Sequence, residues 1–130
     1  VVLDLGCGTG ILSLFAAEAG AKKVVGIDNS TILKQAEQIV GKNDFSDKIK
    51  LVRGKVEEVE LKEKFDVIIS EWMGYCLLYE SMISSVLYAR DFYLKNDGII
   101  LPNKTPLFIQ AISCQNDEGL DFWDDVYGFD

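Results

Sequence analysis

Apolar residues fall in short blocks separated by glycines and polar caps, and the spacing inside each block predicts its structure. Val1 to Leu5 is a brief apolar run ending in glycines, as a buried strand would be. Ile11 to Ala19 carries apolar residues at helical spacing, with Gly20 as a stop. Val24 to Ile27 reads as a second strand, and Asp28-Asn29-Ser30 offers caps for a helix from about Thr31 to Val40. Ile49 to Arg53 and Phe65 to Ile69 read as the third and fourth strands. From Ser81 to about Leu94 the helical period returns, with Met82, Val86, Ala89 and Tyr93 near one face. Asn96-Asp97-Gly98 predicts a turn, Gly98 to Leu101 a fifth strand, and Leu107 to Ile112 a sixth.

Strands alternating with helices imply parallel pairing, hence an α/β fold with a doubly wound, mostly parallel sheet. At 130 residues and 48% hydrophobic, the chain has room for one core and not two. It has no apolar run of about 18 residues, so no membrane span is expected, and no basic leader precedes an apolar signal segment. A soluble, intracellular chain is the expectation. Val1 opens inside a strand without an initiator methionine, as though the chain were cut from a longer protein. Cys7, Cys76 and Cys114 lack C-x-x-C spacing and there is no histidine, so they read as reduced thiols and no metal site is expected. A net charge of −8 disfavours nucleic acid as the main partner and favours a basic one, although it also serves solubility.

Two places carry candidate chemistry. Gly6, Gly8 and Gly10 occupy the loop after the first strand, where open α/β sheets hold ligands. Dinucleotide binders prefer G-x-G-x-x-G. Here the third glycine comes one residue early, with Ile11 in the expected place, which favours S-adenosylmethionine over a nicotinamide cofactor. Asp28 ends the second strand, placed to accept hydrogen bonds from ribose hydroxyls, or more plainly to cap the next helix. Asp4, in an otherwise apolar strand, needs partners, which turn amides or the cofactor's methionine portion could supply. Cys7 lies in the glycine loop without a partner base, which speaks against thiol catalysis.

The second place is the stretch Ser70-Glu71-Trp72-Met73-Gly74-Tyr75-Cys76-Leu77-Leu78-Tyr79-Glu80-Ser81-Met82. On a continuous helix, Glu71 and Glu80 would project to opposite sides, so only a loop that doubles back could bring them together. Two acids interleaved with Trp72, Met73, Tyr75 and Tyr79 suit a flat cation that donates several hydrogen bonds, above all a guanidinium. Two unrelated surface glutamates are the plain alternative, and Trp72 reads best as core.

This stretch resembles the double-glutamate loop of the protein arginine methyltransferases of the type that forms asymmetric dimethylarginine. Val1 to Gly10, Gly54-Lys55-Val56-Glu57-Glu58-Val59, Tyr88-Ala89-Arg90 and Trp123 to Phe129 resemble the same family in the same order. The resemblance implies a Rossmann-like class I methyltransferase core over residues 1–130, with S-adenosylmethionine as cofactor and S-adenosylhomocysteine as product. It implies that the backbone of Val56 and the side chain of Glu57 meet adenine, and that Glu71 and Met82 lie near the cofactor. Met73, Tyr75 and Met82 would shape the room around the target nitrogen, with Glu71 and Glu80 catalytic. Protein substrates with arginine and glycine-rich or basic tails, and a cytoplasmic or nuclear residence, follow from the same likeness. Asp28 stands where many family members carry glutamate. The family's N-terminal helix, its histidine-bearing loop, its C-terminal barrel and its dimerisation arm have no counterpart here, and residues 114–130 are expected to lead towards the barrel. The alternatives are a relative that binds arginine-bearing tails without methylating them, and a nicotinamide-dependent oxidoreductase.

Overall fold

The structure, a computed structural model, describes residues 1–111 together with 126 and 127. Its elements are β1 (Val2–Leu5), α1 (Ile11–Glu18), β2 (Val24–Asp28), α2 (Leu33–Lys42), β3 (Ile49–Arg53), β4 (Phe65–Ile69), α3 (Ile83–Tyr93) and β5 (Leu94–Leu101). The five strands form one sheet in the order β3-β2-β1-β4-β5, parallel at every pairing. The expected doubly wound α/β sheet is therefore present. β1 is central and buried along its length, as its apolar run predicts. The sheet has a core on each side. Val2, Val24 and Ile49 pack with Ala17 of α1 and Val40 of α2, while Leu3, Val25, Ile27 and Ile68 pack with Val86 and Ala89 of α3.

Local chemistry accounts for the helix ends. α1 closes with Ala21 N–H donating to Ala16 O and Gly20 N–H to Ala17 O, the paired bonds of a Schellman ending. α2 begins two residues later than its pattern suggests, because Ser30 Oγ accepts from Ile32 N–H while Asp28 accepts from Ser30 N–H. The caps are consumed by the turn that leads into the helix.

Two expectations need correction. The turn at Asn96-Asp97-Gly98 lies within β5. Phe65 pairs with Leu94 and Val67 with Ile99, so four residues bulge opposite Asp66 before the ladder resumes. The sixth strand is absent over residues 107–111, where no ladder forms and Ile109 is fully exposed. An apolar run becomes a strand only when a neighbour accepts its backbone hydrogen bonds. Ile112 and the Trp123 to Phe129 motif, apart from Val126 and Tyr127, lie outside the described residues.

Beneath the first loop, Asp4 of β1 is fully buried and accepts a 2.7 Å hydrogen bond from Ser13 Oγ of α1. Its other oxygen has no partner among the described residues. Burial pushes its pKa up to about 6, against the pull of the Ser13 hydroxyl and N–H and with a push from Asp28. Gly26, opposite Asp4 in the ladder, makes the room. A Cβ there would stand 2.8 Å from Leu51 Cδ2, 3.0 Å from Ser13 Oγ and 3.1 Å from Cys7 Sγ.

Gly26→Ala is expected to destabilise the chain by about 1–3 kcal/mol in denaturant unfolding, because Leu51 can yield but the bonded Ser13 hydroxyl cannot. Asp4 has a second consequence. Its folded pKa lies above the unfolded value of 3.8, so the stability it contributes is fully present below pH 3.8 and lost as pH rises through about 6. The stability of the chain relative to Asp4→Asn should fall by about 2 kcal/mol between pH 4 and 7. A pH-independent difference would show that Asp4 is ionised without penalty.

Candidate active site

Every connection leaves the carboxyl ends of the strands, and the loops gathered there form the site. The backbone turns sharply after Leu5. Gly6 and Cys7 N–H both donate to Ile27 O, at 2.8 and 3.0 Å, which ties the loop to β2. Gly6, Gly8 and Gly10 have φ of 74°, 54° and 89°, a left-handed backbone that glycine adopts without strain. Gly10 caps α1 without a side-chain bond, leaving first-turn amides available to a ligand. Gly6 also lies against the Met82 methyl, so a Cβ there would displace Met82.

Asp28, at the end of β2, faces this loop. One carboxylate oxygen accepts from Gly8 N–H at 3.0 Å, the other from Ser30 N–H at 2.8 Å. Partial burial pushes its pKa up, but the bonds from Ser30 and Gly8 outweigh this and hold it below the usual carboxylate range. A carboxylate has about four acceptor positions, so two remain for ligand hydroxyls. Asp28 thus braces the glycine loop and starts the turn into α2, with acceptor capacity to spare.

A cleft of 890 Å³ opens beside these residues. Gly6, Asp28, Val56, Glu57, Glu80 and Met82 line it, together with Lys55 and Ser85. Glu57 accepts from Ser85 Oγ of α3 at 2.5 Å, which fixes its carboxylate at the wall. Cys7 is buried under the loop, and loss of solvation, reinforced by Asp4 and Asp28, pushes its thiol up to about 12, far from a reactive thiolate.

The carboxylate loop does double back. Gly74 and Leu77 form an antiparallel bridge, and the Tyr79 backbone lies so close to Gly74 that a side chain there would collide with it. Cys76, Leu77, Glu80 and Ser81 have positive φ, a strained setting for residues other than glycine. The reversal does not bring the two acids into one cavity. Glu80 lines the cleft, whereas Glu71, with Met73, lines a second and mainly apolar groove between α1 and the β4–β5 edge. Convergence of the pair is thus corrected to two separate cavities. Left-handed backbone at Glu80 and Ser81 leads directly into the start of α3. Tyr75 is 84% exposed and forms a tilted ring contact with Tyr79, apart from both cavities. Trp72 is buried in the α3-side core.

Sequence reasoning missed Ser13, Ser70 and Ser85. Ser13 left a faint signal as the polar residue on the buried face of an apolar helix. Ser85 falls three residues after Met82, on the same helix face. Ser70 falls directly after β4, where no sequence pattern singles it out.

Comparison with known proteins agrees with this geometry. A family described as "Methyltransferase domain" matches residues 2–98. The chain is 57% identical to protein arginine N-methyltransferase 1 of Saccharomyces cerevisiae, over 100% of its length and 38% of the relative's. It is 56% identical to protein arginine N-methyltransferase 1 of Dictyostelium discoideum, over 100% of the chain and 39% of that protein. The chain therefore spans well under half the length of these relatives. Among solved structures, the Trypanosoma brucei PRMT1 enzyme-prozyme heterotetrameric complex with AdoHcy superposes with a TM-score of 0.78 at 49% identity, over 99% of this chain and 41% of that one. The nicotinamide-dependent reading is set aside by these matches. The chain belongs to the methyltransferase domain family, with the likeness to the protein arginine N-methyltransferases running along its whole length.

Proposed function

We propose that this chain is the cofactor-binding core of an enzyme that transfers methyl groups from S-adenosylmethionine to the guanidinium nitrogens of arginine in proteins, giving mono- and asymmetric dimethylarginine. The observation that carries the reading is the adjacency of two loops at the carboxyl ends of β1 and β4. One presents glycine backbone and the other presents carboxylates. The residues present fit the cofactor. Asp28 has acceptor positions for ribose hydroxyls, Glu57 stands at the wall for adenine's amine, and Gly6 allows close approach beside Met82.

The cofactor supplies an electrophilic methyl group on a sulfonium. The chain's residues supply orientation and charge. A guanidinium is protonated at neutral pH and a poor nucleophile, so carboxylates must turn one nitrogen towards the methyl group and draw positive charge to the other side. Glu71 and Glu80 are suited to this, and seating both on one guanidinium requires the reversed loop to close the step between their two cavities. Met73 lies on the Glu71 side and Met82 on the cleft side, where each limits the space for a methylated nitrogen. The chain's net charge of −8 favours basic protein tails over nucleic acid as substrate. A homodimer assembled through segments outside these residues, working in the cytoplasm or nucleus, completes the reading.

Calorimetric titration with S-adenosylhomocysteine should show saturable binding, and NAD should show none; the reverse would sink the cofactor assignment. In a protein of the relatives' full length carrying this chain, Glu71→Gln should lower methyl transfer to an arginine-rich peptide at least about a hundredfold, with S-adenosylhomocysteine affinity unchanged within a few-fold. Equal loss of cofactor binding would remove Glu71 from the substrate side. Binding of the peptide without turnover by the unmutated protein would favour an inactive arginine-tail reader.

A further inference from the structure

Ladder pairing between β1 and β4 ends at Asp4 opposite Ile69. Beyond that point the strands part, and the two functional loops leave from the parted ends. β4 stays with β5 for one residue more, since Ser70 N–H donates to Leu101 O at 3.0 Å. A continuing parallel ladder would have offered Leu5 O a backbone donor from the β4 side. In its place the Ser70 hydroxyl donates to Leu5 O at 2.7 Å. Ser70 is only 2% exposed, so the bond is shielded from water.

Its place in the sequence gives the bond its significance. Leu5 immediately precedes Gly6, the first residue of the glycine loop, and Ser70 immediately precedes Glu71. Among the described residues, this hydrogen bond ties the two loops to each other, while the glycine loop's other bonds go to β2 or to itself. The carboxylate loop's remaining bonds close it on itself or run to β5 and α3.

We propose that Ser70 is a positioning residue for methyl transfer, its hydroxyl setting the spacing between the backbone that holds the methyl donor and the carboxylate that holds the guanidinium. This rests on the function proposed above. Displacements of about 1 Å between reacting groups cost on the order of a hundredfold in rate, so a one-bond tether between the loops acts on turnover more than on either affinity.

Threonine and valine have nearly the same volume and differ by the hydroxyl, which separates hydrogen bonding from fit. In a protein of the relatives' full length carrying this chain, Ser70→Thr and Ser70→Val are compared for peptide methylation, S-adenosylhomocysteine affinity and thermal midpoint. The expected result is a kcat at least about tenfold lower for valine than for threonine, with KM for peptide and cofactor affinity within threefold of each other. If the thermal midpoint shows that the valine variant does not fold, Ser70→Ala replaces it in the comparison. Equal kcat for the two variants overturns the proposal, as does a loss confined to cofactor affinity or KM. Absence of turnover in the unmutated protein overturns the enzymatic reading, and this proposal with it, and is told apart by failing before any variant is compared.

Discussion

The parting of β1 from β4 is the constraint on which the rest depends. Two parallel strands whose following helices lie on opposite faces of the sheet must send their chains in opposite directions once the ladder ends. A crevice opens between them as a matter of topology, before any residue is chosen for chemistry. The sequence then has to satisfy the backbone groups that the parting exposes. On the β2 side, Ile27 O takes two amides of the glycine loop. On the β4 side, the Ser70 hydroxyl takes Leu5 O. A crevice rim with unmet buried polar groups would cost about 1–3 kcal/mol for each one, a cost that these bonds remove.

The period of the apolar residues made the sheet legible, since strands and helices alternate with few ambiguous runs. All five strands and three helices lie within a few residues of where the pattern puts them, except that β5 reaches back to Leu94 through a bulge. The sixth strand was misread for a physical reason. β propensity describes a residue's fit to a pleated, half-buried surface, and Leu107 to Ala111 has no such surface among the described residues. The geometry of the glycine loop was equally legible, because glycines at fixed offsets and an acid ending the second strand answer to backbone geometry that any such sheet shares.

The carboxylate loop was legible in kind and not in detail. Its need to reverse follows from the spacing of Glu71 and Glu80, and the bridge from Gly74 to Leu77 makes the reversal. The path the loop then takes runs through left-handed backbone at Cys76, Leu77, Glu80 and Ser81, none of them glycine or asparagine, so no residue type announces it. The serines were missed for a related reason. Ser13, Ser70 and Ser85 act through one hydroxyl each, aimed at Asp4, Leu5 O and Glu57, and only tertiary packing reveals the target.

The two aspartates under the glycine loop show how one fold makes opposite uses of the same side chain. Asp28 receives two backbone N–H groups and is partly open to water, so its ionised form is favoured. Asp4 is fully buried with one oxygen unpartnered among the described residues, and loss of solvation outweighs the Ser13 bonds, so its charged form is penalised and its pKa rises to about 6. Their shifts reinforce the division, because the ionised Asp28 pushes the pKa of Asp4 higher still. A loop that opens to the cleft on one side and packs on the core on the other is served by a carboxylate held charged at its open side and by a hydrogen-bonded tie at its closed side. Exchanging the two environments would raise the pKa of the carboxylate at the open side and favour a charge beneath the loop, where burial makes it costlier.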